Sequence, residues 1–226
     1  MLTSPNRRWC AEMAAHPLLA LGRRARRLAL DERGVAFIEY AFTFPILLLL
    51  GLGGLECANL ALAHLRVSQI GMAVADNAGR VTTRIDESDI NEVFAGAKQI
   101  GEAIDFEANG RIVLSSLQDN GQGGNKSGQM INWQRCFGKL AVAPLYGTED
   151  KGRNDSSLPG MGPAARRIQS LPNTAVMFVE ITYNYQPLIP GQFIPKQTIR
   201  YESAFNVRER TEQNITNTKA LPENDC

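Results

Sequence analysis

The residues best placed to do chemistry in this 226-residue chain are a glycine and a glutamate five positions apart, Gly34 and Glu39. They stand in the run Arg33-Gly34-Val35-Ala36-Phe37-Ile38-Glu39-Tyr40. A glycine before a scissile bond lets the backbone extend into a protease cleft without a Cβ clash. Cleavage after Gly34 would free a cationic amine on Val35. Glu39 would then lie one helical turn away, or face a neighbour's amine. In a medium of low dielectric, an amine and a carboxylate need each other to stay charged. The plain alternative is a carboxylate that snorkels or takes up a proton; left charged among apolar side chains it costs about 2–3 kcal/mol, less near an interface.

Other chemistry finds little support. No Gly-x-Ser-x-Gly and no His-Glu-x-x-His occurs, and His64 is the only histidine past Gly34. The Gly-rich stretch 119–129 lacks P-loop spacing. The acidic pairs Asp86-Glu87 and Glu149-Asp150 read as solvated loop acids. Three Asn-x-Ser/Thr sequons, at Asn125, Asn154 and Asn214, would matter only in a eukaryotic secreted protein. No enzymatic activity, cofactor or metal is expected, and the net charge of +1 argues against a general nucleic-acid binder.

The elements around Gly34 and Glu39 follow from charge and hydropathy. Residues 1–33 hold seven arginines (Arg7, Arg8, Arg23, Arg24, Arg26, Arg27, Arg33) and three acids, a net +4. Residues 34–55 hold one charge, Glu39. Val35 to Leu55 is 21 residues, or about 31 Å of helix, enough to cross a bilayer core. The arginines orient it, N-terminus inside and the rest exported. The competing reading is a cleavable signal ending at Ala61-Leu62-Ala63, although such apolar cores usually span only about 7–15 residues. Pro45 should free the Ala41 carbonyl and kink the helix. Gly53, Cys57 and Ala61, four apart, suit close helix packing.

Beyond Leu55 the pattern becomes amphipathic, and one helix is expected from Val35 to Arg84. Its apolar stripe (Leu55, Leu62, Leu65, Ile70, Met72, Val74, Val81) should cover a sheet. Ser88 reads as the N-cap of a helix reaching Ile104. Strands are expected at 111–118, 130–136, 175–186 and 197–208, with Met177, Val179, Ile181, Tyr183 and Tyr185 on one face and Ile199, Tyr201, Phe205 and Val207 facing inward. Trp133, Tyr183, Tyr185 and Phe205 read as core or sheet-face aromatics. Residues 147–162 read as a surface excursion, and the tail from Arg208 as polar. The fold class is therefore α+β, a long N-terminal helix packed on a small antiparallel sheet. The organisation is a basic leader (1–34), a transmembrane and spine helix (35–84) and an exported domain (85–226). Cys136 and Cys226 both fall in that domain, where a bridge would close a 90-residue separation. Two free thiols, or a pairing with Cys57, are the alternatives.

Gly34 followed by Glu39-Tyr40 resembles the processing site of type IV pilin-like proteins of the Flp/Tad branch. With Asn132-Trp133-Gln134-Arg135-Cys136, the stretch Val179 to Leu188 and Val207-Arg208-Glu209-Arg210, the chain is similar to the TadE-like family. These are minor pilins or pseudopilins of tight-adherence (Tad/Flp) type IV pilus systems. The N-terminal motif is shared with TadF-like and TadG-like proteins, so the strand motifs carry the distinction. The resemblance implies cleavage by a prepilin peptidase between Gly34 and Val35, with Glu39 and Tyr40 acting in assembly. It implies an inner-membrane, single-pass location with a periplasmic C-terminal domain, or incorporation in the pilus, serving adhesion or secretion. The implied partners are other pilin and pseudopilin subunits, the peptidase and the assembly platform. The alternative is a soluble periplasmic binding module or hydrolase released after Ala63.

Overall fold

A computed structural model describes residues 33–189 and 196–226, so most of the expected leader and Pro190 lie outside the described residues. Helix α1 (Arg33–Arg80) is followed by β1 (Ile85–Asp86), α2 (Glu87–Gly101), a 3-10 turn (Glu102–Ile104) and α3 (Phe106–Asn109). Then come β2 (Gly110–Asp119), β3 (Gln129–Phe137), β4 (Ala175–Asn184), β5 (Thr198–Asn206) and β6 (Ile215–Thr216). The fold is α+β, as expected, with an antiparallel sheet in the order β3-β2-β4-β5. A short parallel pair, β1 with β6, was not legible in the sequence. The chain forms two compact units that divide inside α1, after Gly54. Leu55–Cys226 is called the head below.

The α2 N-terminus shows why local chemistry decides a boundary. Asp86, not Ser88, is the cap: its carboxylate accepts from the Ser88 N–H at 3.1 Å, and Asp89 accepts from the Asp86 N–H at 2.8 Å. The two acids form a reciprocal capping box. Asp86 also accepts from the Thr218 N–H, and these backbone donors hold its carboxyl well below the usual range. Helix α2 ends at Gly101, where a Cβ would stand 2.5 Å from the Phe106 Cβ.

One sheet face carries the main core. Met177, Val179, Ile181, Tyr183 and Tyr185 lie there together, as the alternation predicts, with Ile112, Leu114, Trp133 and Ile199. The helix face that covers them matches the expected one only in part: Ile70 and Val74 are buried and Val81 packs against the core. Leu55, Leu62, Leu65 and Met72 are 53–59% exposed, and the buried residues are Ala63, Val67, Ile70, Val74, Ala75 and Ala78. Small side chains let the helix approach the strands closely. A Cβ on Gly71 would meet Ser203 Oγ at 2.9 Å and Ile181 Cδ1 at 3.3 Å.

The opposite sheet face is also a core. Leu117, Ile131, Val176 and Phe178 pack under Leu158 and Met161, so residues 147–162 are a cover rather than a simple surface excursion. Asn120 organises the loops there, donating to the Lys126, Gly152 and Asp155 carbonyls and accepting from the Gln122 and Gly128 N–H groups. Gly152, with φ +81°, has no room for a side chain: a Cβ would fall 2.1 Å from the Gln129 carbonyl oxygen.

Glu180 is a buried acid on this second face. The Leu145 N–H donates to its Oε2 at 2.8 Å, while Oε1 has no partner among the described residues. Burial pushes its pKa up to about 7, and Glu202, its cross-strand partner, adds to the rise. Unfolded, the group would ionise near 4.5. Between these values the unfolded chain has lost a proton that the folded chain keeps. Stability should therefore fall as pH rises through that window, by about 3 kcal/mol. Urea unfolding at pH 5 and pH 8 should show this slope in the wild type and a flatter one in Glu180→Gln. An equal slope in both would remove Glu180 as its source.

The tail is polar but not loose. Arg210 is buried; it donates through Nε to the Val81 carbonyl at 3.0 Å and through a terminal nitrogen to that of Ala78. It thereby caps the C-terminal end of α1 with a positive charge. Burial pulls its pKa down to about 10, and the guanidinium stays charged. Further on, the Cys136 N–H donates to the Asn224 carbonyl at 2.7 Å, and Cys226 is disulfide-bonded to Cys136.

Candidate functional site

The candidate processing and assembly residues lie in the first turns of α1. Gly34 and Val35 are helical and exposed. Glycine costs a helix about 1 kcal/mol relative to alanine. Gly34 is therefore a weak point of the described helix. Glu39 is exposed one turn on from Val35, and its carbonyl accepts from the Thr43 hydroxyl at 2.9 Å. Tyr40 stacks on Phe44 with ring centroids 5.2 Å apart.

Around these residues the helix is apolar on every side and uncovered. Val35, Phe37, Ile38, Phe42, Ile46, Leu49 and Leu50 are all more than half exposed. By length and composition, Gly34–Arg80 can cross a membrane. Pro45 sits within the helix without ending it. Gly53, Cys57 and Ala61 are exposed, and a Cβ on Gly53 would meet nothing within 4 Å. The stripe is open to another helix, and Cys57 is a free thiol.

Sequence reasoning missed the residue that starts the head. Glu56 is 5% exposed although it directly follows the apolar run. It accepts from Tyr185 Oη at 2.6 Å and from the Leu188 and Ile189 N–H groups at 3.0 and 3.3 Å. Asn59 donates to the same Tyr185 oxygen at 2.7 Å. Burial, with Glu56 beside it, pushes the Tyr185 pKa up to about 12. The available signal was a second acid at the end of an apolar run, with tyrosines on a distant strand.

A second missed centre is Arg135, inside the Asn-Trp-Gln-Arg-Cys stretch. It is buried against Glu87, which is 1% exposed. The acidic pairs at 86–87 and 149–150 are thus not simply solvated: Asp86 caps α2, while Glu87 and Glu149 bind Arg135. No protein-family model, no curated protein and no solved structure matches this chain.

Proposed function

We propose that the chain is a TadE-like minor pilin or pseudopilin. It is held in the inner membrane by the apolar part of α1 with its head in the periplasm, and it is cut between Gly34 and Val35. The observation that carries this reading is the placement of Gly34 and Glu39 at the start of an apolar helix exposed on all sides. Such a helix needs lipid before assembly and neighbouring helices afterwards. The freed Val35 amine and the Glu39 carboxylate are the groups that neighbours would pair. The head supplies contacts to other pilin subunits and to the assembly platform, in adhesion or secretion.

Release after Ala63 is less compatible with the head. Ala63 is itself buried, and that cut would remove Glu56 and Asn59, which hold Tyr185. N-terminal sequencing of the exported form is the test: Val35 is expected, and His64 would overturn the reading. Gly34→Leu should leave the chain uncut. Glu39→Ala should be cut normally yet reach the pilus fraction at least about tenfold less, the loss of one buried ion pair. Normal assembly of both variants would remove the proposed roles.

A further inference from the structure

The contacts between β4 and α1 run down the helix in order. Ile181 lies against Gly71, then Tyr185 against Asn59 and Glu56, and the turn after β4 is held by Glu56 through the Leu188 and Ile189 N–H groups. At about 1.5 Å of rise per residue, Glu56 stands about 22 Å from Gly71 toward the start of the helix. The turn at Pro187–Ile189 is thus at the N-terminal limit of the head's grip on α1. The side chain that holds it belongs to the residue following Leu55, where the apolar run stops.

At this level the surface is suited to lipid. Leu188 is 54% exposed and belongs to neither core cluster. Glu56, the acid that holds the turn, is buried, and both its oxygens accept hydrogen bonds, while the cleft beside Leu188 also carries the exposed acids Glu102 and Asp105. Lys196, where the described chain resumes before β5, is exposed and can reach phosphates. We propose that the Pro187–Ile189 turn docks on the lipid headgroup surface with Leu188 entering the interface. The head then has a membrane attachment of its own. This inference rests on the reading of Val35–Leu55 as a bilayer span. The occupant follows from continuity: a turn bonded to the first residue after a span meets the headgroup layer before anything else.

Full-length protein in phosphatidylcholine–phosphatidylglycerol vesicles tests it, with lipids brominated at shallow or deep acyl positions. Leu188→Trp should show blue-shifted emission and a roughly twofold loss with shallow bromines, as for a side chain seated in the headgroup–acyl boundary. The emission of Trp9 and of buried Trp133 is subtracted using the parent protein. Leu49→Trp, inside the run, should be quenched by deep bromines. Adding Glu56→Gln, which leaves one acceptor oxygen and a folded head by circular dichroism, should weaken quenching at position 188 but not at 49. Quenching at 49 with none at 188 overturns the docking and keeps the span. Quenching at neither position overturns the span itself. A blue shift at 188 that grows with protein-to-lipid ratio, without bromine quenching, means another subunit covers the turn and likewise overturns the proposal.

Discussion

Replacing Arg135 with alanine should destabilise the head by about 3–5 kcal/mol, the range for breaking a buried ion pair from one side. The guanidinium is 5% exposed and reaches Glu87 Oε1 through two nitrogens, at 2.7 and 2.6 Å. It also donates to the Gln134 carbonyl at 2.7 Å, and its terminal nitrogens lie 3.3 Å from Glu149 and 3.4 Å from Glu223. Glu87 has no comparable alternative, because its other oxygen is buried and without a partner among the described residues. Removing the arginine strands a carboxylate at the start of α2. Lysine cannot replace the fork and should recover only part of the loss. The double variant Glu87→Met/Arg135→Met should be far more stable than Arg135→Ala, since neither charge is then left alone. Urea midpoints would measure all of these, and a midpoint for Arg135→Ala close to wild type would refute the account.

Loss of the Cys136–Cys226 bridge is the second large effect, expected at roughly 2–4 kcal/mol. The bridge closes a separation of 90 residues, with Cα atoms 5.0 Å apart. Around it the Asn224 side chain donates to Asn91 at 2.8 Å, and Arg111 donates to the Cys226 carbonyl at 3.2 Å. Glu223 approaches the same Arg135, so the two sites share partners and their effects should not add. Cys226→Ser and reduced wild-type protein should unfold at the same lower urea concentration, with oxidised wild type above both. A wild-type midpoint indifferent to reductant would show that the bridge contributes nothing.

The sequence was most legible where one period rules. Strand β4 alternates from Val179 to Tyr183, and its inward residues are those that pattern names, while its first half is buried on both faces, with Val176 and Phe178 in the second core. The long apolar helix, too, can be read from composition alone. Part of the helix face was misread for a physical reason. Hydropathy weights large side chains, so Leu55, Leu62, Leu65 and Met72 drew attention, while the contact that Ile70 and Val74 make as expected is completed by Val67 and by the small Gly71, Ala75 and Ala78, which bring the helix close. Glu56, Glu87, Arg135 and Glu180 were illegible as a class. A buried polar group is recognisable only by its partners, and each of these has one that stands 35 to 133 residues away. The candidate site itself was named from spacing; its exposure on every side required the structure.

Arg210 capping the end of α1 has a consequence for how fast the head can form. That contact joins residues 132 apart in sequence, and Tyr185 reaches Glu56 across 129. Strand β6 pairs in parallel with β1, a topology that only late-arriving chain can complete. Loop-closure entropy is spent before such contacts repay it, so a high mean separation slows folding. As the chain emerges the helix must wait, its strand-facing side bare, until β4 and β5 have both followed. A chain of this topology spends its early life as a target for aggregation, and its yield will track the holdase capacity available where it folds.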